Sequence, residues 1–332
     1  MNQQVILVAR PAGVAQSEHF AIRTSEPAPL GRGQLRIRNR FLSVEPAMRG
    51  WIADRGNYSA PVGIGEVMRA IAVGEVVESD CADYSRGVFV TGWFGWQEEA
   101  VVDPSAVIRR VIETDLPLSL SLGVLGINGV AAHLGLTLVG QPRAGETVVV
   151  STAAGSVGSA VGQIARKLGC RTVGIAGGPR KVAMCRGQFG YDDAIDYRAE
   201  GLGDALTAAC PDGIDVYFDN VAGRISDTVY PLLAQRGRVV VCGTASIPTW
   251  DPWPQGPRFE RHLLVKRARA EGFVVFDHFD RWNDSVATLA GWVRDGSLLA
   301  VEEVLDGIES CPDALAGLYR GENEGKRVIR LA

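Results

Sequence analysis

Along this chain the spacing of apolar positions changes character more than once. In residues 5–9, 34–38, 71–78, 88–91 and 97–102, short alternating or β-branched runs are set apart by Gly, Pro, Asn and Asp. Strand-length runs with few helix-length periodic segments predict a small, mostly β domain. From residue 118 to 138 helical spacing takes over, opened by Gly123-Val124-Leu125-Gly126-Ile127-Asn128-Gly129, and this stretch reads as a hinge. Strands are then expected at 147–151, 171–175, 194–196, 216–219 and 238–242, with helices near 157–168, 181–189, 203–209 and 225–233. That alternation predicts a parallel sheet wound on both faces. Residues 271–276 read as a further strand and 282–293 as a closing helix, after which the short-strand texture returns in 301–305 and 326–331. The expected organisation is therefore a first domain, 1–122, completed by 297–332, with a second domain, 123–296, between its two parts.

The chemistry is most legible at Thr147-Val148-Val149-Val150-Ser151, a run short and branched enough for a buried parallel strand. It leads into Ala153-Ala154-Gly155-Ser156-Val157-Gly158, a turn of the smallest residues, and then into apolar residues at helical spacing. Gly155 and Gly158 let the backbone turn and approach a ligand, and the N–H groups of Ser156 and Val157 at the helix start favour a pyrophosphate. Gly162 is read as allowing close packing of helix on strand. The pattern alone also fits a plain tight turn, and alanine replaces its usual first glycine. Its flanks favour a dinucleotide. The second strand ends in Ala176-Gly177-Gly178-Pro179-Arg180-Lys181, where an NAD-specific site usually carries a carboxylate for the ribose. Small residues beside two cations suit a 2′-phosphate better, so NADPH is the expected cofactor. In such sheets ligands bind at the carboxyl ends of strands, which also singles out Asn220 and the segment Cys242-Gly243.

Composition narrows the partners. The 332 residues are 46% hydrophobic, with Lys+Arg 34 against Asp+Glu 38 and a formal net charge of −4. No basic block suggests nucleic acid, no apolar run is long enough for a membrane span, and the first residues lack the charged n-region of a signal peptide, so a cytoplasmic protein is expected. Cys81, Cys170, Cys185, Cys210, Cys242 and Cys311 form no close pair, and the four histidines stand apart, so neither a disulfide framework nor a metal site is predicted. Tyr58 lies in a loop marked by Gly56, Asn57 and Pro61, and loops on a β scaffold commonly carry function. Half-buried packing is the other reading of that tyrosine. The Pro- and Trp-rich stretch 247–257 reads as an irregular loop, with Trp250 and Trp253 serving either packing or pocket cover.

Several segments together resemble the zinc-independent medium-chain dehydrogenase/reductase superfamily, in its prostaglandin reductase (leukotriene 12-hydroxydehydrogenase) branch. They include Ser43-Val44-Glu45-Pro46-x-Met48-Arg49-Gly50, Gly65-Glu66-Val67-Met68-Arg69, the turn at Gly155, Tyr217-Phe218-Asp219-Asn220-Val221, Glu271-Gly272-Phe273-Val274 and Gly321-Glu322-Asn323-x-Gly325-Lys326. The resemblance implies an α/β fold, with a GroES-like, mostly-β catalytic domain and a Rossmann domain that binds NADPH. It implies that Lys181 and Tyr197 hold the 2′-phosphate, that Asn220 and Asn323 face the nicotinamide ribose and phosphate side, and that Phe273 and Val275 receive the carboxamide. Tyr58 matches a loop tyrosine that approaches the substrate carbonyl. Asn128, Ala131, His133 and Val265 depart from the relatives near the expected pocket, which bears on the substrate rather than the fold.

The expected reaction is NADPH-dependent reduction of a carbon–carbon double bond conjugated to a carbonyl, in a small hydrophobic enone or alkenal. Hydride goes to the β-carbon, and charge developing on the oxygen is stabilised by a hydroxyl such as that of Tyr58. Quinone reduction is the enzymatic alternative, and a non-catalytic NADPH-binding protein the alternative from another class. A homodimer is the expected assembly.

Overall fold

In the stretch Leu35-Arg36-Ile37-Arg38, apolar side chains alternate with charged ones, and the structure turns that alternation into two faces. It is a computed structural model that describes residues 1–54 and 58–332. The chain divides into two units, Met1–Leu122 together with Glu302–Ala332, and Gly123–Val301.

In the first unit β1 (Asn2–Leu7) pairs antiparallel with β2 (Phe20–Ser25). Strand β3 (Leu35–Ser43) is the centre of a larger sheet. Its Leu35 and Ile37 are fully buried, while Arg36 and Arg38 lie on the other face and pair with Glu78 at 2.9 Å and Glu99 at 3.1 Å. This is the period-2 pattern of a strand with one face on a core. A short helix α1 (Met48–Ile52) follows, then β4 (Ala72–Ser79), β5 (Phe89–Gly92), β6 (Glu99–Val102) and β7 (Val107–Arg110). β3 pairs with both β4 and β6, and β4, β5 and β7 follow one another antiparallel. The core between these layers holds Leu35, Ile37, Trp51, Phe94 and Trp96, all essentially inaccessible.

The second unit opens with α2 (Ile127–Leu134) and a π-helical turn over Gly135–Gly140. Strand β8 (Thr147–Ser151) is buried at every position, as expected for a strand covered on both faces. After it come α3 (Ser156–Lys167), β9 (Arg171–Ala176), α4 (Pro179–Gly187), β10 (Asp193–Asp196), α5 (Leu202–Ala209), β11 (Ile214–Asp219), α6 (Gly223–Val229), β12 (Leu233–Val241), α7 (Glu260–Lys266), β13 (Arg269–Gly272) and α8 (Trp282–Arg294). The strands form one parallel sheet in the order β10-β9-β8-β11-β12-β13. The order reverses direction between β8 and β11, which is where a doubly wound sheet opens a crevice for a ligand.

One expected strand is corrected. The run 271–276 contributes only its first two residues to β13, and Val275–Arg281 forms a 3₁₀ turn. The neighbouring β12 ends at Val241, whose carbonyl accepts from the Phe273 N–H, so nothing remains for the chain to pair with beyond that point.

The tail supplies β14 (Glu302–Asp306), α9 (Cys311–Arg320) and β15 (Lys326–Arg330). β14 and β15 are parallel, and β15 pairs antiparallel with β3, so the last strands extend the first unit's sheet.

Candidate cofactor and active site

The glycine turn sits at the carboxyl end of β8. Thr152 takes a left-handed backbone (φ 53), Ala153 donates to Ile175 O at 3.0 Å and Gly155 to Thr152 O at 2.8 Å, closing the loop before α3. A side chain at Gly158 would run into the Thr152 carbonyl, so the helix can start this close to the loop only with glycine there. Gly155 caps α3 without a side chain, and no acidic residue occupies the first turn, so the helix presents its positive end to an anion. Gly162 makes room for the ring of Tyr191 rather than for a strand, and the Tyr191 hydroxyl donates to Gly158 O at 2.6 Å. Ala154, Ser156 and Val157 complete this turn, so the residues singled out there form one cradle.

A second group gathers where β9 and β10 end. Asp196 Oδ1 accepts from the backbone N–H groups of Gly178 and Arg198, both at 2.9 Å, and Tyr197 N–H donates to Ala176 O at 3.0 Å. One oxygen of the nearby carboxylate is thereby engaged by the backbone. A methyl added at Gly177 would lie 2.9 Å from the Tyr197 ring and 3.2 Å from Arg198 Nε, and the Arg198 guanidinium lies 5.8 Å from the Tyr197 ring centroid. Lys181 stands in the first turn of α4, which starts two residues after Gly177. Gly177 and Tyr197 thus meet in one loop cluster, and Lys181 follows four residues after the glycine in the first turn of α4. Sequence reasoning missed Arg198, whose signal was a cation immediately after the tyrosine.

A third group forms at the ends of β11, β12 and β13. Asn220 donates from its backbone to Ser151 Oγ and from Nδ2 to Ser151 O, each at 2.8 Å, tying β11 to the strand before the glycine turn. Cys242 and Gly243 N–H groups donate to Asp219 O at 2.8 and 3.0 Å. Buried Asp219 accepts from Ser226 Oγ at 2.6 Å, Tyr217 Oη at 3.1 Å, and the Val221 and Ala222 N–H groups at 2.9 and 2.8 Å. Burial pushes its carboxyl pKa up, against the pull of those donors. This network holds the loop in which Ala222 has φ 59. Phe273 and Val275, both buried, follow β13, and Phe273 stacks on His278 with centroids 5.2 Å apart. His133 bonds Ser285 Oγ through Nδ1 at 2.8 Å, and burial lowers its pKa. Val265 is half exposed on α7, and Trp250 and Trp253 pack ring against ring at 4.9 Å.

The first unit carries Tyr58 and Asn323. Tyr58 is 55% exposed, and the buried Trp51 indole donates to its hydroxyl at 3.2 Å. Gly56 and Asn57, the loop markers before it, lie outside the described residues. The segment after it is held by Arg69, which donates to Ala60 O at 2.7 Å. Asn323 Nδ2 donates to Gly325 O at 3.0 Å. Three residues further on, buried Lys326 donates to Glu45 Oε1 at 2.6 Å, Ser43 Oγ at 2.7 Å and Val44 O at 3.0 Å, tying the tail to the segment before α1. The Tyr319 hydroxyl donates to Pro46 O, and burial pushes its pKa up to about 12.

Comparison with known proteins decides the family. Residues 3–109 match the family described as N-terminal domain of oxidoreductase, and residues 156–291 the one described as zinc-binding dehydrogenase. Over 336 residues the chain is 39% identical to an NADPH-dependent curcumin reductase of Escherichia coli, covering 100% of this chain and 97% of that protein. The chain belongs to the zinc-independent branch of the medium-chain dehydrogenase/reductase family. A 2-alkenal reductase (NADP(+)-dependent) of Nicotiana tabacum is 35% identical over 336 residues, covering 100% of this chain and 98% of that protein. The structure of CurA in complex with NADPH from Vibrio vulnificus superposes with a TM-score of 0.94 at 37% identity, covering 99% of each chain. Among the described residues of this medium-chain reductase, no three His, Cys, Asp or Glu side chains are grouped to hold a metal ion. No helix among them is long and apolar enough to cross a membrane.

Proposed function

We propose that this chain is an NADPH-dependent reductase of carbon–carbon double bonds conjugated to a carbonyl, acting on small hydrophobic enones or alkenals. The observation that carries the proposal is full-length similarity to two reductases named for curcumin and 2-alkenal. When bound, NADPH supplies the hydride that reaches the β-carbon, and with one proton from solvent the products are the saturated carbonyl compound and NADP⁺. The chain's residues fit that cofactor: a helix N-terminus free of side-chain carboxylates for the pyrophosphate, and Gly177, Lys181, Tyr197 and Arg198 for the 2′-phosphate. Asn220, Cys242, Gly243, Phe273, Val275 and Asn323 are assigned to the nicotinamide side.

Tyr58 is assigned to the reacting carbonyl. Its hydroxyl accepts from the Trp51 indole, and a phenol is the kind of hydroxyl donor that an oxygen gaining charge in the transition state requires. We also assign the working form to a homodimer in the cytoplasm. Edge strand β13 and the exposed Leu264 and Val265 beside it support the first, and six free thiols suit a reducing compartment.

The test is a substrate panel of linear and cyclic enones, alkenals, quinones and simple ketones incubated with NADPH, with products identified. Saturated ketones and aldehydes from the conjugated substrates are expected. Turnover confined to quinones, or alcohols as the main products, would overturn the assignment.

A further inference from the structure

Five arginines of the second unit meet at the end of the sheet opposite the cofactor site. Arg143, Arg236, Arg238, Arg267 and Arg269 line a cavity of about 550 Å³ with a single carboxylate, Glu146. The formal excess there is four positive charges, in a chain whose net charge is −4. Sheet order brings them together. Glu146 immediately precedes β8, and Arg238 on β12 lies directly opposite Arg269 on β13 in the parallel register. Ser151, Asp219 and Cys242, by contrast, mark the other ends of these strands and of β11 between them.

Three of the five arginines, Arg238, Arg267 and Arg269, are held by hydrogen bonds to oxygens around the cavity. Glu146 engages Arg238 Nη1 and Nη2 at 3.0 and 2.5 Å, and Arg238 also donates to Gly140 O at 2.9 Å and Gln141 O at 2.8 Å. Arg269 Nη2 donates to Val139 O at 2.5 Å and Gln141 Oε1 at 3.1 Å, and Arg267 Nη2 to Gln235 Oε1 at 2.6 Å. Each of these contacts fixes a guanidinium without neutralising it, except for the one that Glu146 satisfies.

Backbone strain marks the same place. Among the described residues, the non-glycine positions with positive φ are Gln141, Thr152, Ala222, Arg236 and Arg267. Thr152 and Ala222 flank the candidate cofactor site, and the other three line the arginine cavity. Gln141 and Arg267 end helical segments in the left-handed conformation that glycine usually takes, and here a long polar side chain stands instead. Such strain persists where surrounding structure over-determines it, and it gathers at binding sites.

We infer that this cavity binds a compact multivalent phosphate, the di- or triphosphate chain of a nucleotide or an inorganic polyphosphate. Guanidinium forks match phosphate oxygens two at a time, and a multivalent anion relieves the mutual repulsion of neighbouring arginines that one carboxylate leaves uncompensated. The volume falls in the range of small-ligand sites, which run from about 300 to 1,000 Å³.

The test uses the full chain saturated with NADPH, titrated calorimetrically with tripolyphosphate, ATP, adenosine and sulfate at constant ionic strength. Saturable binding of tripolyphosphate at one site per chain is expected, with sulfate much weaker and adenosine silent. ATP tighter than tripolyphosphate would identify a nucleotide as the ligand, and equal affinities would identify the phosphate chain alone. Arg143→Ala combined with Arg236→Gly should weaken binding at least tenfold and leave NADPH affinity and enone turnover unchanged. Glycine at 236 also removes the left-handed strain, so thermal stability should not fall and lost binding cannot be put down to unfolding. No binding to the NADPH-loaded protein, displacement by excess NADPH, or unchanged affinity in the double variant would overturn the inference.

Discussion

The indole N–H of Trp51 donates to the Tyr58 hydroxyl at 3.2 Å, from a buried ring to a phenol that is more than half exposed. An indole can only donate, so the phenol oxygen is the acceptor and its own proton is directed elsewhere. Accepting one hydrogen bond also makes a hydroxyl a better donor of the next.

Tyr58→Phe should therefore lower enone turnover by about 10²–10³, the usual cost of removing one oxyanion donor, with NADPH affinity unchanged. Trp51→Phe keeps the phenol and removes its orienting bond together with some volume of a buried ring, so a smaller loss, on the order of fivefold, is expected from about 1 kcal/mol of hydrogen bonding. Steady-state kinetics on one enone, with fluorescence titration of NADPH, measures both. A Tyr58→Phe enzyme as fast as the parent would return Tyr58 to a packing role.

The tail of the chain depends on a buried charge. Lys326 and Glu45 side chains are 4% and 6% exposed and 2.6 Å apart, and Lys326 bonds two further oxygens. Removing one partner leaves the other charged and buried, which typically costs about 3–5 kcal/mol. Lys326→Met should destabilise the protein by roughly that amount in urea unfolding, whereas Lys326→Met combined with Glu45→Gln should recover part of it. A single variant as stable as the parent would mean that the charge on Glu45 is compensated by another route.

How much of this was legible beforehand follows from the range of each interaction. The strand Thr147–Ser151, the glycine turn and the helix after it are local, and a β-branched run ending in small residues states them directly. Asn220 and Gly243 could be placed because ligands gather at the carboxyl ends of parallel strands. The length of the strand expected over 271–276 was not legible, since it depends on where β12 stops. Arg198 escaped because a cation after a strand is ordinary until the Gly177 backbone is seen against it. The arginine cavity was hidden most completely. Its cations come from three separate segments, and only the order β8-β11-β12-β13 makes neighbours of residues about a hundred positions apart.

The loop cluster after β9 and β10 yields the prediction on cofactor choice. Gly177 has no side chain, which lets the Tyr197 ring and Arg198 close on its backbone, and Asp196 Oδ1 is turned to the backbone N–H groups of Gly178 and Arg198, so Lys181 and Arg198 are the charged side chains assigned to the adenosine 2′-phosphate. A 2′-phosphate gains charge-assisted hydrogen bonds there, each contributing about 1.5–3 kcal/mol, while a 2′-hydroxyl gains little from a cation. Lys181→Ala and Arg198→Ala should each weaken NADPH by roughly ten- to a hundredfold and leave NADH nearly unchanged. Both losses should shrink as salt is raised, because these side chains are partly or largely exposed and their field is screened. Fluorescence titration of the parent and the two variants with each nucleotide, at low and high ionic strength, measures all of this. Equal NADPH and NADH affinities in the parent would remove the cluster's assignment. A loss in Lys181→Ala without one in Arg198→Ala would leave the lysine as the phosphate ligand and the arginine as a support for the Tyr197 ring.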